Sequence, residues 1–134
     1  MPRPAYTGEQ IRQAEAPLLK AGEGDRLMRR AAGQLAAVCR RVLRLGGGTV
    51  YGRRVAVLTG PGNNGGDALF AAADLARRGA AVTLLHTLGT PHAAGLAAAL
   101  SAGCRRVDIA EAPGHLGAAD LVIDGVFGLS LIHI

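Results

Sequence analysis

LTGPGNNGGDALFAAADLARRG, residues 58–79, joins an apolar run to a helical segment through a loop of glycines and asparagines. The residues RRVAVLTG that lead into it have the β-branched and aliphatic composition of a short buried strand. The residues DALFAAADLARRG that follow have helical composition, and Gly79 is a typical helix stop. Strand, loop and helix in this order form one unit of a parallel α/β fold, because parallel neighbours need a crossover connection.

The same alternation continues toward the C-terminus. AAVTLLH predicts a second buried strand, and PHAAGLAAALSAG predicts a helix that Thr90 is placed to cap. RRVDIA predicts a short third strand, and ADLVIDGVFG predicts a further strand that ends at Asp124. The predicted fold class is therefore α/β with a mainly parallel sheet.

Two helices are predicted ahead of this sheet. The first runs from about residue 8 to residue 20, where Thr7 and Gln10 have the spacing of a capping box. The second spans 27–45, where apolar residues recur every three or four positions and three glycines follow. Its apolar stripe leaves two alternatives open: it covers the sheet, or it seals a homodimer.

Composition bounds the class of protein. A chain of 134 residues with 49% hydrophobic and 19% charged residues predicts one folded domain. The net charge of +5 is carried by scattered arginine pairs, and aromatic residues make up 3%, which favours anionic small molecules as partners over nucleic acid.

Neither a signal peptide nor a membrane span is predicted. Cys39 and Cys104 match no zinc or redox spacing, so we expect free thiols in the cytoplasm. The four histidines share no metal-ligand spacing and are expected to be ordinary surface or strand-end residues.

The glycine loop has two interpretations. Gly60, Gly62 and Gly65 fit the G-x-G-x-x-G fingerprint, but no acidic residue ends the second strand, and no Walker lysine precedes the helix. Glycines let the backbone approach an anion, and N–H groups at the helix start can donate to phosphate oxygens. The alternative is a tight turn with Asp67 as the helix cap.

Asp124 is the second candidate for chemistry. It follows an apolar run and precedes Gly125, so it lies at the carboxyl end of a predicted strand, where parallel sheets bind ligands. If this strand neighbours the one before the glycine loop, the oxygens of Asn64 and Asp124 could face one hard cation. The alternative is a turn aspartate or helix cap.

GPGNNGGDAL and LVIDGVFG, preceded by YTGEQIRQAE and GDRLMRRAAG, resemble the YjeF N-terminal domain family of NAD(P)H-hydrate epimerases. The resemblance covers residues 5 to about 128. It implies a Rossmann-like three-layer α/β/α fold that interconverts the R and S forms of hydrated NADH or NADPH at C6. It also implies a partner dehydratase, separate or fused, that acts on one epimer.

The resemblance further implies the site residues. A potassium ion would bind between Asn64 and Asp124, and Asp124 would also supply acid/base or electrostatic catalysis at C6. The implied substrate-binding residues are Asn63, Asn64, Gly65, Gly66, Asp67 and, at the start of a later segment, Gly128.

The end of the sequence departs from the family pattern, because LSLIHI follows Gly128 where the family continues differently. We therefore expect residues 1–128 to be a C-terminally incomplete family domain and residues 129–134 to be an unrelated tail. A second functional hypothesis remains open beside the epimerase: a non-catalytic nucleotide-binding or protein-interaction module.

Overall fold

The structure is a computed structural model that describes residues 6–7, 24–126 and 131–133. The first predicted helix lies outside these residues. The described strands are β1 (Tyr6–Thr7), β2 (Arg54–Thr59), β3 (Ala81–His86), β4 (Arg105–Val107), β5 (Leu121–Gly125) and β6 (Leu131–His133). The described α-helices are α1 (Gly24–Leu43), α2 (Gly62–Arg77), α3 (Ala93–Ser101) and α4 (Ala112–Ala118), with 3-10 turns at Leu45–Gly47 and Ile109–Glu111.

The strands form one sheet in the order β1-β6-β5-β2-β3-β4. The four strands from β5 to β4 are parallel, and β6 is antiparallel to both of its neighbours, β5 and β1. The prediction of an α/β fold with a mainly parallel sheet is confirmed. Strands β2, β3 and β5 coincide with the predicted apolar runs, as expected for strands covered on both faces.

Helix α2 packs on one face of the sheet, against β2, β3 and β5, and α1 and α3 each pack on α2. Val57 of β2, Leu84 of β3 and Ile123 of β5 extend from this face and are almost completely buried. Their partners on the helices include Leu35 of α1 and Leu69 of α2 in one continuous core. The predicted helix over 27–45 is confirmed as α1, and its apolar stripe covers the other helices and the sheet. Burial of this stripe within the domain gives the prediction of a homodimer no added support.

Two predicted helix starts are wrong. Helix α2 begins at Gly62, so Asn63, Asn64, Gly65 and Gly66 lie inside the helix, and Asp67 is too far along it to be its cap. Helix α3 begins after His92, whose Nδ1 accepts a hydrogen bond of 3.0 Å from the amide of Gly95. The imidazole therefore takes the capping role predicted for Thr90.

Strand β6 is formed by the last residues that the structure describes. Ile132 pairs with Tyr6 on one side and with Ile123 on the other. Residues 131–133 thus extend the sheet that the rest of the chain builds, while the division of the chain at residue 128 stays a prediction. Among the described helices, none combines the length and the hydropathy that a membrane span requires.

Candidate active site at the carboxyl edge of the sheet

The loop after β2 and the start of α2 lie at the carboxyl edge of the parallel sheet. Thr59 ends β2 in register with His86 of β3 and Gly125 of β5, so three strands end side by side. Pro61 precedes the helix, and Gly62 takes a φ of +80° that favours glycine. The first turn of α2 thus lies at the strand ends, where parallel sheets bind ligands.

Close backbone packing explains the remaining glycines of this loop. A Cβ on Gly60 would collide with the carbonyl oxygen of Val126, and a Cβ on Gly65 would collide with the carbonyl oxygen of Gly60. A Cβ on Gly125 would lie 2.8 Å from the Cβ of Ala68 and 3.2 Å from the carbonyl oxygen of Asn64. Because these glycines have no side chains, α2 lies close to the ends of β2 and β5. The same close packing explains why residues 62–66 are helical.

Asp124 lies next to this contact. Its Oδ1 accepts a hydrogen bond of 3.2 Å from the amide of Val126, which holds the carboxylate at the end of β5. Side chains alternate along a strand, so Asp124 leaves the sheet on the face opposite Gly125 and α2. The carboxylate is half-buried.

The structure brings most of the predicted site residues to this one edge. Asn63 is exposed and Asn64 is half-buried in the first turn of α2. The carbonyl of Asn64 faces Gly125, the residue after Asp124. Gly65 and Gly66 are buried, and a Cβ on Gly66 would lie 3.0 Å from atoms of His92 and Met28. Asp67 is half-buried with its Oδ1 buried, and Gly128 lies outside the described residues.

The donor chemistry of this edge fits a hard cation. Asp124 offers a carboxylate and Asn64 offers amide oxygens, which are the ligand types that hard cations prefer. The Asp124 side chain leaves the sheet on the face opposite α2, so an ion shared with Asn64 would have to lie beyond the end of β5. Within the described residues, no cluster of three His, Cys, Asp or Glu side chains could hold a metal ion.

A hydrogen-bond network fixes the loop after β3 against the loop after β2. Nε2 of His86 donates to the carbonyl of Gly89 at 2.8 Å, so in the neutral imidazole Nδ1 accepts from the hydroxyl of Thr59 at 2.9 Å. A Cβ on Gly89 would lie 3.4 Å from the Cβ of Pro61, so this loop passes close to the start of α2. The end of β3 is therefore joined to the glycine turn.

A cleft of about 400 Å³ opens beyond His86 at the ends of β3 and β4. Its other lining residues are Arg106, Val107, Asp108 and Ile109. No acidic residue ends β3, but Asp108 directly follows the neighbouring strand β4. No signal in the sequence marked it, because Asp108 lies inside RRVDIA, which is predicted as a strand throughout.

The fold and the edge define a Rossmann-like α/β domain with a helix N-terminus and a strand-end carboxylate at one edge of the sheet. The chain belongs to the YjeF N-terminal family: residues 24–133 match the family described as YjeF-related protein N-terminus. The crystal structure of yeast ynu0 has the same fold, with a TM-score of 0.66 at 24% identity over 77% of this chain and 46% of that one.

Curated relatives are similar over nearly the whole chain. The bifunctional NAD(P)H-hydrate repair enzyme Nnr of Mycobacterium tuberculosis is 48% identical over 126 residues, which are 93% of this chain and 26% of that protein. The NAD(P)H-hydrate epimerase of Microbacterium testaceum is 43% identical over 125 residues, 93% of this chain and 46% of that protein. The epimerase of Clavibacter michiganensis is 44% identical over 129 residues, 92% of this chain and 52% of that protein. The chain thus spans about half the length of these epimerases and about a quarter of the bifunctional enzyme.

Proposed function

We propose that this domain epimerises the R and S forms of NADH hydrate and NADPH hydrate at C6. The observation that carries the proposal is the meeting of two elements at one sheet edge: the first turn of α2 and the end of β5. The amide of Gly60 donates to the carbonyl of Gly125 at 3.2 Å and ties the two together. The substrate is proposed from relatives that share this part of the sequence and are named as an NAD(P)H-hydrate repair enzyme and an NAD(P)H-hydrate epimerase.

The reaction needs one proton donor and acceptor beside C6. In the first step the C6–O bond breaks as the lone pair of the ring nitrogen forms an iminium bond, and the hydroxyl leaves as water after it receives a proton. In the second step water adds to C6 from the other face, the electron pair returns to nitrogen, and a base takes the extra proton. We assign both proton transfers to Asp124: its carboxylic acid protonates the leaving hydroxyl in the first step, and the resulting carboxylate takes the extra proton of the incoming water in the second.

A potassium ion fits the oxygen donors of this edge. Asn64 and Asp124 would hold it, and its positive charge would stabilise the departing oxygen. Residues of the chain itself bind the rest of the substrate. Hydrogen-bond donors in the first turn of α2 hold the pyrophosphate. Asn63 and Asn64 contact the nucleotide with their amides, and Gly65, Gly66, Asp67 and Gly128 complete the proposed substrate-binding set.

The proposed partner is an NAD(P)H-hydrate dehydratase, either separate or fused to this domain. A relative named as a bifunctional repair enzyme supports the fused arrangement. Free, buried Cys39 and Cys104 suit a reducing compartment, so we place the protein in the cytoplasm. We propose no nucleic acid and no membrane as a partner.

The test is the Asp124→Asn variant, assayed by separating the two epimers of NADHX and NADPHX. Asp120→Asn is the matched control, because Asp120 lies just before the same strand at its opposite end, with Oδ2 accepting from the amide of Arg54 at 2.9 Å. We expect Asp124→Asn to lose at least about a hundredfold in rate with the fold retained, and Asp120→Asn to keep the rate of the parent chain.

Asn64→Ala tests the cation through a readout that is separate from the rate. The parent chain should bind thallium(I), a spectroscopic substitute for potassium, and Asn64→Ala should bind it more weakly.

Full activity in Asp124→Asn would remove that residue from the mechanism. Nucleotide binding by the parent chain without turnover would favour the non-catalytic nucleotide-binding module.

A further inference from the structure

We infer that the cleft at the ends of β3 and β4 binds a 2′-phosphorylated ribose, with Arg106 as the contact to the phosphate. The inference rests on the proposed function, because it assigns the cleft to the adenosine end of the same dinucleotide. It adds a preference for the phosphorylated substrate, NADPHX, over NADHX.

The position of the cleft supports this assignment. Strands β5, β2, β3 and β4 are successive neighbours, so the distance from Asp124 to the cleft spans three strand spacings, about 14 Å. The start of α2 lies between these two points. A dinucleotide whose pyrophosphate binds at α2 and whose nicotinamide reaches toward β5 would place its other ribose at β3 and β4.

The lining residues match the groups of a 2′-phosphoribose. Arg106 offers a guanidinium for the phosphate, and within the described part of the chain it forms no ion pair. Oδ1 of Asp108 accepts from the amide of Ala110 at 2.9 Å, which fixes the carboxylate and leaves Oδ2 to accept from the adjacent 3′-hydroxyl. An unmodified ribose has two hydroxyls and would leave Arg106 unused.

The walls of the cleft combine polar side chains with the apolar Val107 and Ile109. Both ring nitrogens of His86 are engaged by Thr59 and Gly89, so the imidazole presents a fixed ring surface. Ile109 is 41% exposed and leaves an apolar surface that a base or ribose would cover. The volume of about 400 Å³ is within the usual range for a small-molecule site.

The register of β4 separates the two neighbouring arginines. Arg106 pairs with Leu84, whose side chain lies in the core beneath the helices, so Arg106 extends on the same face as α2. Arg105 pairs with Thr83 and extends on the opposite face. Both arginines are exposed, which makes Arg105 a control matched for charge, strand and exposure.

Isothermal titration of the full 134-residue chain tests the inference with three adenosine ligands: the 5′-monophosphate, the 2′,5′-bisphosphate and the 3′,5′-bisphosphate. We expect the 2′,5′-bisphosphate to bind about tenfold more tightly than the 5′-monophosphate, as for one charge-assisted contact. The 3′,5′-bisphosphate should gain less. Arg106→Ala should abolish the tenfold difference, and Arg105→Ala should keep it.

Equal affinity for the 2′,5′-bisphosphate and the 5′-monophosphate would overturn the inference, as would equal effects of the two arginine variants or no binding of any of the three. The titration measures binding and requires no turnover, so its result can be interpreted whatever the outcome of the epimerase assay. Epimerisation that depends on Asp124 in a chain without the 2′-phosphate preference would uphold the proposed function and reject the cleft assignment alone.

Discussion

The amide nitrogen of Gly60 lies 3.2 Å from the carbonyl oxygen of Gly125 and donates to it across the carboxyl ends of β2 and β5. This bond continues the parallel ladder one step beyond the last paired residues, Thr59 and Gly125. It holds together the two loops that carry the candidate site. Their geometry therefore depends on a backbone contact that only a residue without a side chain permits at position 60.

Gly60→Ala should destabilise the fold by roughly 1–3 kcal/mol, because the added methyl group would collide with the backbone oxygen of Val126. Gly33→Ala is the control, since Gly33 is exposed on α1 and its added methyl group would meet no atom within 4 Å. The control should gain about 0.5–1 kcal/mol from helix propensity. Urea unfolding of both variants measures the difference, and equal stabilities would contradict the packing argument.

Asp74 joins α1 to α2, and its two ion pairs should differ in strength. Its Oδ2 accepts from Arg40 of α1 at 2.6 Å and from Arg78 at 3.1 Å. The Arg40 side chain is 21% exposed and the Arg78 side chain is 45% exposed. A double-mutant cycle should give about 1 kcal/mol for Asp74 with Arg40 and about 0.3 kcal/mol for Asp74 with Arg78. The reverse order would show that burial does not decide these energies.

His92→Ala should cost about 1 kcal/mol of unfolding free energy, because the first turn of α3 would lose its side-chain cap. The variant also removes an edge-to-face contact with Phe70, whose ring centroid lies 5.9 Å away. Asn accepts a hydrogen bond at the same position, so His92→Asn should recover part of the loss. Thr90→Ala should leave the stability unchanged. Thermal unfolding compares the three variants, and a larger loss in Thr90→Ala would restore the capping role to Thr90.

The two cysteines should make stability fall in alkaline solution. Burial raises the pKa of the Cys39 thiol from 9.0 to about 12 and that of Cys104 to about 11. Between pH 9 and these values the unfolded chain has lost thiol protons that the folded chain keeps, so the free energy of unfolding decreases as the pH rises. The slope should reach about 1 kcal/mol per pH unit for each thiol.

Urea unfolding at pH 8 and pH 10 measures this decrease. Cys39→Ala and Cys104→Ala should each reduce the pH dependence, although each variant also lowers stability at both pH values. An unchanged pH dependence in both variants would contradict the assignment. Neither thiol should react with a thiol reagent at pH 8 while the chain is folded.

The sequence predicted the parts of the fold that depend on apolar patterning. Strands β2, β3 and β5 are continuous apolar runs because helices and loops cover both faces of the sheet, and α1 has an unambiguous apolar stripe. The patterning left open whether β2 and β5 are neighbours, and the register shows that they are by pairing Leu58 with Asp124.

The start of α2 could not be predicted from local preferences. The residues GNNGG have poor helix propensity, yet they are helical because Gly65 packs on Gly60, and the carbonyl of Asn64 packs on Gly125. These contacts join segments far apart in the chain. The short helix α4 and the turn at Ile109–Glu111 were not predicted either, because APGHLGA and IAE are too short for a periodic pattern.

Asn64 and Asp124 were expected to face one cation from the ends of two neighbouring strands. The structure places Asn64 in the first turn of α2 and Asp124 near the end of β5, and the shared ion stays a proposal. Arg106 and Asp108 were not predicted as site residues. Their strand, β4, is short, and it is the neighbour of β3, the strand at whose end a dinucleotide-binding fold has its acidic residue.

The pairing of β2 with β5 also sets the order in which the domain can be completed. The glycine turn is made early in synthesis, but the carbonyl groups it packs against belong to residues that leave the ribosome much later, after α2, β3, α3, β4 and α4. Contacts of such long sequence separation form late, because the intervening chain must be ordered before they become favourable. A nascent chain that lacks β5 would therefore fold as a helical layer on an incomplete sheet, and its ligand-binding edge would appear only with the final parallel strand.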